Sequence, residues 1–293
     1  VGDFKSADSK RHAEEVVRDL EVLMDLVTNL GTLEIKNREI LDSINSASRI
    51  QAAVLPDLDK TTNNFLDFSL LWAPRDIVGG DCYWSIKFEN KIWFGLFDCT
   101  GHGVPGAFVS LILLSKLMRI FQEAQNNTER LPSNLLYNLD LNLRDSLSQD
   151  NSVGLRDDGA DGAIIQWELG SSEITFAGAN MPILIQQGLK LKEIKGVRRS
   201  IGYRKNRDLS EFIDKNIDIN DQTRLFIYTD GVTDEGRELD GLAFGKNRLK
   251  SFLSKSGELT LSDLNDGLKN ELEKWRQKRP RRDDITFVSI KLI

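Results

Sequence analysis

The chain has 293 residues, of which 39 are basic and 45 acidic, and its formal net charge is −6. This length accommodates one large catalytic domain with an additional element, or two modest domains. Nucleic-acid binding depends on many Lys and Arg contacts to phosphates, so the acidic balance argues against a nucleic-acid partner. Two cysteines, Cys82 and Cys99, fit neither a disulfide framework nor a Cys-x-x-Cys zinc pair. A reducing cytoplasmic setting follows from that cysteine usage.

The sequence shows neither a membrane-spanning run nor a secretory signal. Its uninterrupted apolar runs are too short to span a bilayer, and no secretory signal peptide is recognisable. The sequence begins Val1-Gly2 without a methionine. We therefore expect a cytoplasmic fragment of a longer, membrane-anchored protein, with no membrane span inside the fragment itself.

Residues 9–55 predict one long amphipathic helical region that Pro56 ends. A heptad-like seam is formed by Val16, Leu20, Leu23, Val27 and Leu30. Such a stripe needs a partner, which is either the chain's own domain or a second helix. The seam favours a parallel dimeric coiled coil. We accordingly divide the chain into a helical signalling and dimerisation segment, residues 1–56, and a second domain, residues 57–293.

From about residue 65 the sequence changes to short segments rich in aromatic and β-branched residues. These predict a hairpin over residues 83–98 and later strands over 163–169, 173–177, 212–219, 223–229 and 285–293. Helices are predicted over 104–123, 132–148, 247–255 and 261–278. Strands followed by helices and then by strands indicate an α+β layered fold rather than a βαβ repeat.

Four acidic sites lie at the edges of apolar strands. They are Asp81 after two glycines, Asp98, Asp230, and the pair Asp283 and Asp284. Convergent carboxylates repel one another unless a cation lies between them, and hard ions such as Mg²⁺ and Mn²⁺ prefer oxygen ligands. Two ions about 4 Å apart can activate a hydroxide for attack on phosphorus. The alternative is that each aspartate is an ordinary turn or cap residue.

Other kinds of catalytic site fit poorly. His12 and His102 are the two histidines, which is too few for a histidine-rich zinc site. No Gly-x-Ser-x-Gly elbow is present. The segment 241–246 is one residue short of a P-loop and lacks Ser or Thr after its lysine.

The segment Asp98-Cys-Thr-Gly-His-Gly-Val-Pro-Gly-Ala107 resembles the PPM family of metal-dependent protein phosphatases, in the bacterial branch typified by the stage II sporulation E phosphatase. Four further blocks follow the family's order: Val78-Gly-Gly-Asp-Cys-Tyr83, Gly178-Ala-Asn-Met-Pro182, Tyr228-Thr-Asp-Gly-Val-Thr-Asp234 and Asp283-Asp-Ile-Thr-Phe287. The resemblance covers about residues 50–293 and extends to membrane-anchored sensor phosphatases of this branch. It implies an αββα sandwich of two mostly antiparallel sheets flanked by helices, preceded here by the long N-terminal helix.

The resemblance also implies roles for individual residues. Asp98 would bridge two Mn²⁺ or Mg²⁺ ions, with Asp81 and the backbone carbonyl of Cys99 beside it. Asp230 and Asp283 would hold the other ion. Asp284 is the weaker candidate of its pair. Asp161 belongs to an acidic stretch that is either a solvated loop or the source of a ligand for an additional ion.

Three further residues are candidates for contact with substrate. His102 either protonates the leaving serine oxygen or has a structural role at a turn. Arg75 is one residue away from the place where animal members of the family hold phosphate with an arginine. Asn180 lies in a block that has Ala179 where this branch usually has His, which puts the role of that histidine in doubt.

The function implied is a serine/threonine protein phosphatase that acts on a partner signalling protein, of the anti-sigma-factor-antagonist type. The alternatives are a pseudophosphatase that only docks partners and a hydrolase of small phosphoesters. All four carboxylate sites are filled, which favours an enzyme. The basic run of residues 274–282 has three interpretations: a solvated helix end, a patch that recruits an acidic phosphoprotein, or a nucleic-acid patch.

Overall fold

The computed structural model describes residues 2–126, 128–147, 157–204, 211–237 and 239–292, with the backbone alone for residues 2–17 and 19–22. It contains two compact units, Val1–Ser48 and Arg49–Ile293. Helix α1, Gly2–Val54, is continuous, as the sequence predicted. Its seam residues Leu23, Val27 and Leu30 are each more than half exposed. Their pairing with a second copy stays a prediction, and Val16 and Leu20 lie outside the described side chains.

The larger unit is an α+β sandwich of two five-stranded sheets. After α1 the elements are α2 (Leu58–Thr62), β1 (Asp67–Ala73), β2 (Cys82–Phe88), β3 (Lys91–Cys99), α3 (Gly103–Glu123), α4 (Pro132–Ser146), β4 (Ala160–Glu168), β5 (Glu173–Ala179), β6 (Ile183–Gln187), β7 (Lys190–Ile194), β8 (Lys215–Asp218), β9 (Thr223–Tyr228), α5 (Gly231–Asp234), α6 (Lys246–Lys255), α7 (Leu261–Arg276) and β10 (Ile285–Lys291). The strand orders are β1-β10-β9-β6-β7 and β2-β3-β4-β5-β8. Every named strand pair is antiparallel, so the predicted fold class is confirmed.

Residues 225–228 of strand β9 form an unbroken apolar run, and the structure explains it. Leu225 and Ile227 belong to the core shared by the two sheets. Phe226 and Tyr228 point the other way, into the core beneath α6 and α7. Because successive side chains alternate between faces and both faces are covered here, residues 225–228 are all apolar.

The other sheet is covered by α3 and α4. Phe121 of α3 packs edge to face on Trp84 and Trp93 of the hairpin, with ring centroids 5.4 and 4.9 Å apart. Among the described helices, α3 alone has the length and mean hydropathy, 1.7, of a membrane span. Length and composition alone therefore do not distinguish α3 from a membrane-spanning helix. Leu113, Leu117 and Phe121 are buried in the core, which accounts for this apolar character.

Two predicted strands begin three residues away from their starts in the structure. Strand β4 begins at Ala160, three residues earlier than predicted, because Asp161 continues the ladder by pairing with Asp98 of β3. The predicted strand over residues 212–219 is shortened to Lys215–Asp218, which pairs with the edge of β5. Asp161 is thus a strand residue, not a loop residue.

Candidate metal centre

The acidic residues meet at one edge of the sandwich. In one sheet Asp98 is directly opposite Asp161, and Cys82 is opposite Phe97, which places Asp81 at the same end of the hairpin. In the other sheet β9 and β10 pair Tyr228 with Phe287, so Asp230 and the pair at 283–284 lie just beyond that end. The backbone N–H of Asp230 lies 3.4 Å from Oδ2 of Asp98, which brings the two sheets' carboxylates together.

Asp81 is held by two threonine hydroxyls that the sequence analysis did not identify. Its Oδ2 accepts hydrogen bonds from Oγ1 of Thr229 at 2.7 Å and from Oγ1 of Thr286 at 2.6 Å. Burial raises the pKa of Asp81 to about 8, although the hydrogen bonds from Thr286 and Thr229 partly oppose this shift. The two threonines come from neighbouring strands of the opposite sheet, so they fix the carboxylate's orientation across the sandwich.

The other carboxylates show the effect of crowding negative charge at one edge of the sandwich. Burial raises the pKa of Asp98 well above its usual range, and the charges of Asp81, Asp230 and Asp283 raise it further. Burial, followed by the charge of Asp283, also raises the pKa of Asp230. No three His, Cys, Asp or Glu side chains in the described part of the chain already form a metal cage. Charge repulsion between these groups favours a proton or a cation among them.

The turn before Asp81 is fixed by Asp284. Its Oδ1 accepts from the backbone N–H of Arg75 and its Oδ2 from that of Gly80, both at 2.6 Å. A Cβ on Gly80 would lie 2.7 Å from the carbonyl oxygen of Cys99, so only glycine permits this close approach. Both oxygens of Asp284 are therefore engaged in shaping the loop that carries Asp81. A role as an additional metal ligand stays a prediction.

Gln51, in the last turn of α1, reaches the same turn from the other side. Its Nε2 donates to the carbonyl oxygen of Gly79 at 2.7 Å and to Oγ of Ser110 at 3.1 Å. In return, the N–H of Gly79 donates to Oε1 of Gln51 at 3.3 Å. The side chain is 1% exposed. In the sequence, Gln51 is the one polar residue among the apolar residues 50–55. That pattern did not indicate which residues it would contact.

His102 and Arg75 lie on the rim of this edge. His102 precedes the first turn of α3, is about half exposed, and has Nδ1 3.0 Å from Oδ2 of Asp76. Asp76 belongs to none of the motif blocks, so the sequence did not indicate this contact. Arg75 is exposed, and its guanidinium donates to the carbonyl oxygen of Arg282 at 3.4 Å. Contact of either residue with substrate stays a prediction.

Asn180 orients Asp161. It adopts a left-handed conformation with φ of 56°, and its Nδ2 donates to Oδ2 of Asp161 at 2.6 Å. The other oxygen of Asp161 is buried and has no hydrogen-bond partner among the described residues. Burial raises the pKa of Asp161, against hydrogen bonds from Ser200 and Asn180. This free carboxylate oxygen beside Asp98 could bind an additional cation. That role for Asp161 stays a prediction.

The two cysteines are buried and free. A hydrogen bond from Cys82 and burial raise the pKa of the Cys99 thiol well above its usual range. The Cys99 side chain is therefore a neutral packing group, and its backbone carbonyl oxygen is the atom that approaches Gly80.

Residues 89–293 match the model of the stage II sporulation protein E (SpoIIE) family. The chain belongs to this family. The match covers more than half of the chain and includes four of the five motif blocks, from Asp98 onward. No curated protein matches the chain.

Solved structures agree with this assignment. The SiaA-PP2C domain of Pseudomonas aeruginosa is 27% identical with a TM-score of 0.77, over 88% of this chain and 98% of that chain. The PP2C phosphatase domain of SpoIIE from Bacillus subtilis, solved with a fragment of its regulatory domain, is 17% identical with a TM-score of 0.58, over 76% of this chain and 61% of that chain. A serine/threonine phosphatase of S. agalactiae is 15% identical with a TM-score of 0.55, over 78% and 99%. The last two show the shared fold.

This SpoIIE-family chain thus carries a PP2C-type phosphatase domain, and the resemblance predicted from its motifs is confirmed. The acidic edge of the sandwich contains all the aspartates that those motifs supplied. It also contains Thr229 and Thr286, which lie within two of those blocks without an assigned role, and Gln51, which lies outside them.

Proposed function

We propose that this chain is a metal-dependent serine/threonine phosphoprotein phosphatase that uses two Mn²⁺ or Mg²⁺ ions. The observation that carries the proposal is the meeting of carboxylates from both sheets at one edge, where Asp81 and Asp284 are buried and the pKa of Asp98 is raised by desolvation and by its charged neighbours. A divalent cation removes that repulsion, and the donors are oxygen atoms, which both ions prefer. The residues present therefore fit the ions that the family implies.

The proposed ligands are Asp98 between the two ions, Asp81 and the carbonyl oxygen of Cys99 on one side, and Asp230 and Asp283 on the other. When bound, such ions supply an activated hydroxide and neutralise charge on the phosphoryl oxygens. Thr229 and Thr286 hold Asp81 in its orientation through Oδ2. Asp284 keeps the preceding turn in place through the N–H groups of Arg75 and Gly80.

We propose that His102, on the rim of this site, delivers a proton to the leaving group. Asp76 contacts its Nδ1, which leaves Nε2 to donate to the leaving seryl or threonyl oxygen. We therefore assign His102 as the general acid and Asp76 as the residue that orients it.

A phosphoprotein substrate is supported by the family and by the signalling phosphatases among the structural neighbours. Within the proposal, the substrate is a phosphoserine or phosphothreonine signalling protein of the anti-sigma-factor-antagonist type. A docking pseudophosphatase is the less favoured alternative because every carboxylate position is filled. A hydrolase of small phosphoesters is tested by the same experiment as the main proposal.

The test is to incubate the full chain and Mn²⁺ with candidate phosphoproteins from its own genome and to follow phosphate loss by mass spectrometry. We expect loss of one phosphoserine or phosphothreonine phosphate from a signalling protein. Rapid hydrolysis of small phosphoesters with no phosphoprotein dephosphorylated would favour the small-molecule alternative. No hydrolysis of any phosphoester would favour the docking alternative.

We further propose that α1 dimerises the chain and regulates the site, and that the intact protein is anchored in a membrane with this part in the cytoplasm. The exposed seam residues Leu23, Val27 and Leu30 support the pairing. The hydrogen bonds between Gln51 and Gly79 give a route from the helix end to the turn before Asp81. A shift of a few kcal/mol between two arrangements is enough to change which one is populated.

Deleting residues 1–48 is therefore expected to convert a dimer into a monomer with altered activity toward its protein substrate. The deletion leaves Gln51 in place, so the change in activity reports the loss of pairing and not the loss of that contact. Light scattering measures the mass of both chains. An intact chain that is monomeric at tens of micromolar, with activity unchanged by the deletion, would contradict the proposal.

A further inference from the structure

A second concave surface lies on the outer helical layer, between α6 and α7. It encloses about 490 Å³ and is lined mainly by Phe244, Arg248, Phe252, Lys255, Lys274 and Trp275. We call it the aromatic–basic groove. None of its residues belongs to the acidic edge described above, and the motifs of the family do not include them.

The centre of the groove is a rigidly held tryptophan. The indole N–H of Trp275 donates to the carbonyl oxygen of Leu242 at 3.0 Å, and its ring packs edge to face on Phe244 with centroids 5.9 Å apart. The guanidinium groups of Arg248 and Arg237 lie over the same ring, 4.3 and 5.1 Å from its centroid. A fixed aromatic surface costs little conformational entropy when a ligand binds to it.

The charge of the groove is opposite to that of the chain. Arg248, Lys255 and Lys274 are cationic, and the lining contains one acid, Glu271, 3.4 Å from Lys274. Arg248 donates to the carbonyl oxygens of Phe244 and Ala243, which fixes its guanidinium without neutralising it. Within the described residues, Lys255 has no carboxylate in ion-pair distance. A groove of net positive charge on a chain of net charge −6 selects an acidic ligand.

The wall of the groove is tied to the turn that carries Asp230. The N–H of Phe244 donates to the carbonyl oxygen of Glu235 at 2.9 Å, and that of Gly245 to the carbonyl oxygen of Thr233 at 2.8 Å. Thr233 belongs to α5, which begins immediately after Asp230. The backbone of Phe244 and Gly245 at the groove is thus hydrogen-bonded to the residues that follow Asp230.

We propose that the aromatic–basic groove docks an acidic segment of the phosphoprotein substrate, in which an apolar side chain packs on Trp275 and carboxylates face Lys255 and Lys274. This inference rests on the proposed phosphatase function, because it names the docking segment of that enzyme's substrate. A nucleic acid is a less suitable ligand because the groove supplies few phosphate contacts. It has three cationic side chains, and one of them, Lys274, already pairs with Glu271.

The first experiment measures binding without catalysis. A fluorescent peptide that alternates Glu with Leu and Phe is titrated with the full chain, beside a matched peptide in which Gln replaces Glu. We expect the acidic peptide to bind at least about tenfold more tightly at low salt, with the difference shrinking as salt rises. The double variant K255Q/K274Q should lose this preference. The matched control K87Q/K116Q, on the other layer of the sandwich, should keep it.

The second experiment links docking to turnover. The acidic and the neutral segments are each joined to a phosphoserine peptide through Gly-Ser linkers of several lengths. The acidic segment should lower KM with kcat unchanged at one or more lengths, and K255Q/K274Q should raise that KM to the value of the neutral peptide. Hydrolysis of p-nitrophenyl phosphate should be equal in wild type and variant.

The outcomes separate the two proposals. Equal binding of the acidic and neutral peptides, or an unchanged preference in K255Q/K274Q, would overturn the docking site. Tighter binding of a single-stranded oligonucleotide than of the acidic peptide would overturn it in favour of a nucleic-acid surface. If the acidic peptide binds selectively but p-nitrophenyl phosphate is not hydrolysed, the proposed phosphatase activity is refuted. The groove would then be a binding site for acidic segments, but not for a substrate.

Discussion

Asp98→Ala is expected to lower the rate of p-nitrophenyl phosphate hydrolysis by at least about a thousandfold, even at saturating Mn²⁺. Asp98 is the proposed bridging ligand, and its neighbours Asp81, Asp230 and Asp283 all act on its carboxyl group. Removing it takes away the one group placed to hold both ions. The exposed Asp266→Ala, on α7, is the matched control and should retain full activity. Near-normal turnover of the Asp98 variant would contradict the assignment.

The same substitution is expected to stabilise the metal-free chain while it abolishes activity. The pKa of Asp98 is raised on folding, so its ionised form is less stable in the folded chain than in the unfolded one. That penalty is present when the pH exceeds the folded-state pKa and disappears as the pH falls below the ordinary value. Thermal unfolding in EDTA at several pH values measures it. A melting temperature lowered by Asp98→Ala at high pH would show that the carboxylate is stabilising and would contradict the crowding argument.

Removing divalent ions with EDTA is expected to abolish hydrolysis, and adding Mn²⁺ or Mg²⁺ is expected to restore it and to raise the melting temperature. Hydrolysis should return because the added cation is coordinated by the carboxylates and removes their mutual repulsion. The melting temperature should rise because the free energy of metal binding adds to the stability of the folded chain. Direct attack by a metal-activated hydroxide leaves no covalent intermediate. Activity that persists in excess chelator, or a phosphorylated side chain trapped during turnover, would refute the metal mechanism.

The restoration should depend on pH in a defined direction. The pKa of Asp81 is raised from 3.8 to about 8, so protons compete with metal ions for this carboxylate throughout the range between those values. The apparent affinity for Mn²⁺ should therefore increase as the pH rises toward 8. In the metal-free chain the stability should fall over the same interval, because the folded carboxyl group binds its proton more tightly than the unfolded one. Calorimetric titration of Mn²⁺ at several pH values tests the first expectation.

Short-range sequence patterns predict many of the helices and strands. The apolar run at residues 223–229 predicts strand β9, and the amphipathic pattern before Pro56 predicts α1. The aspartates were recognisable because each acidic site lies at the edge of an apolar strand, and three of the four sites adjoin a glycine or a turn. Strand periodicity and turn chemistry depend on neighbouring residues, which is why these features could be predicted without the tertiary structure.

The tertiary structure decided which residues support those aspartates. Thr229 and Thr286 contact Asp81 from the opposite sheet, Asp284 fixes a turn about 200 positions away in the chain, and Gln51 reaches Gly79 from the end of α1. Such contacts depend on strand register and on how the layers stack, and one sequence does not specify either for a given pair of residues. The sequence by itself determined the family, the fold class and the acidic motifs. Only long-range packing could determine the orientation of each carboxylate and the groove around Trp275.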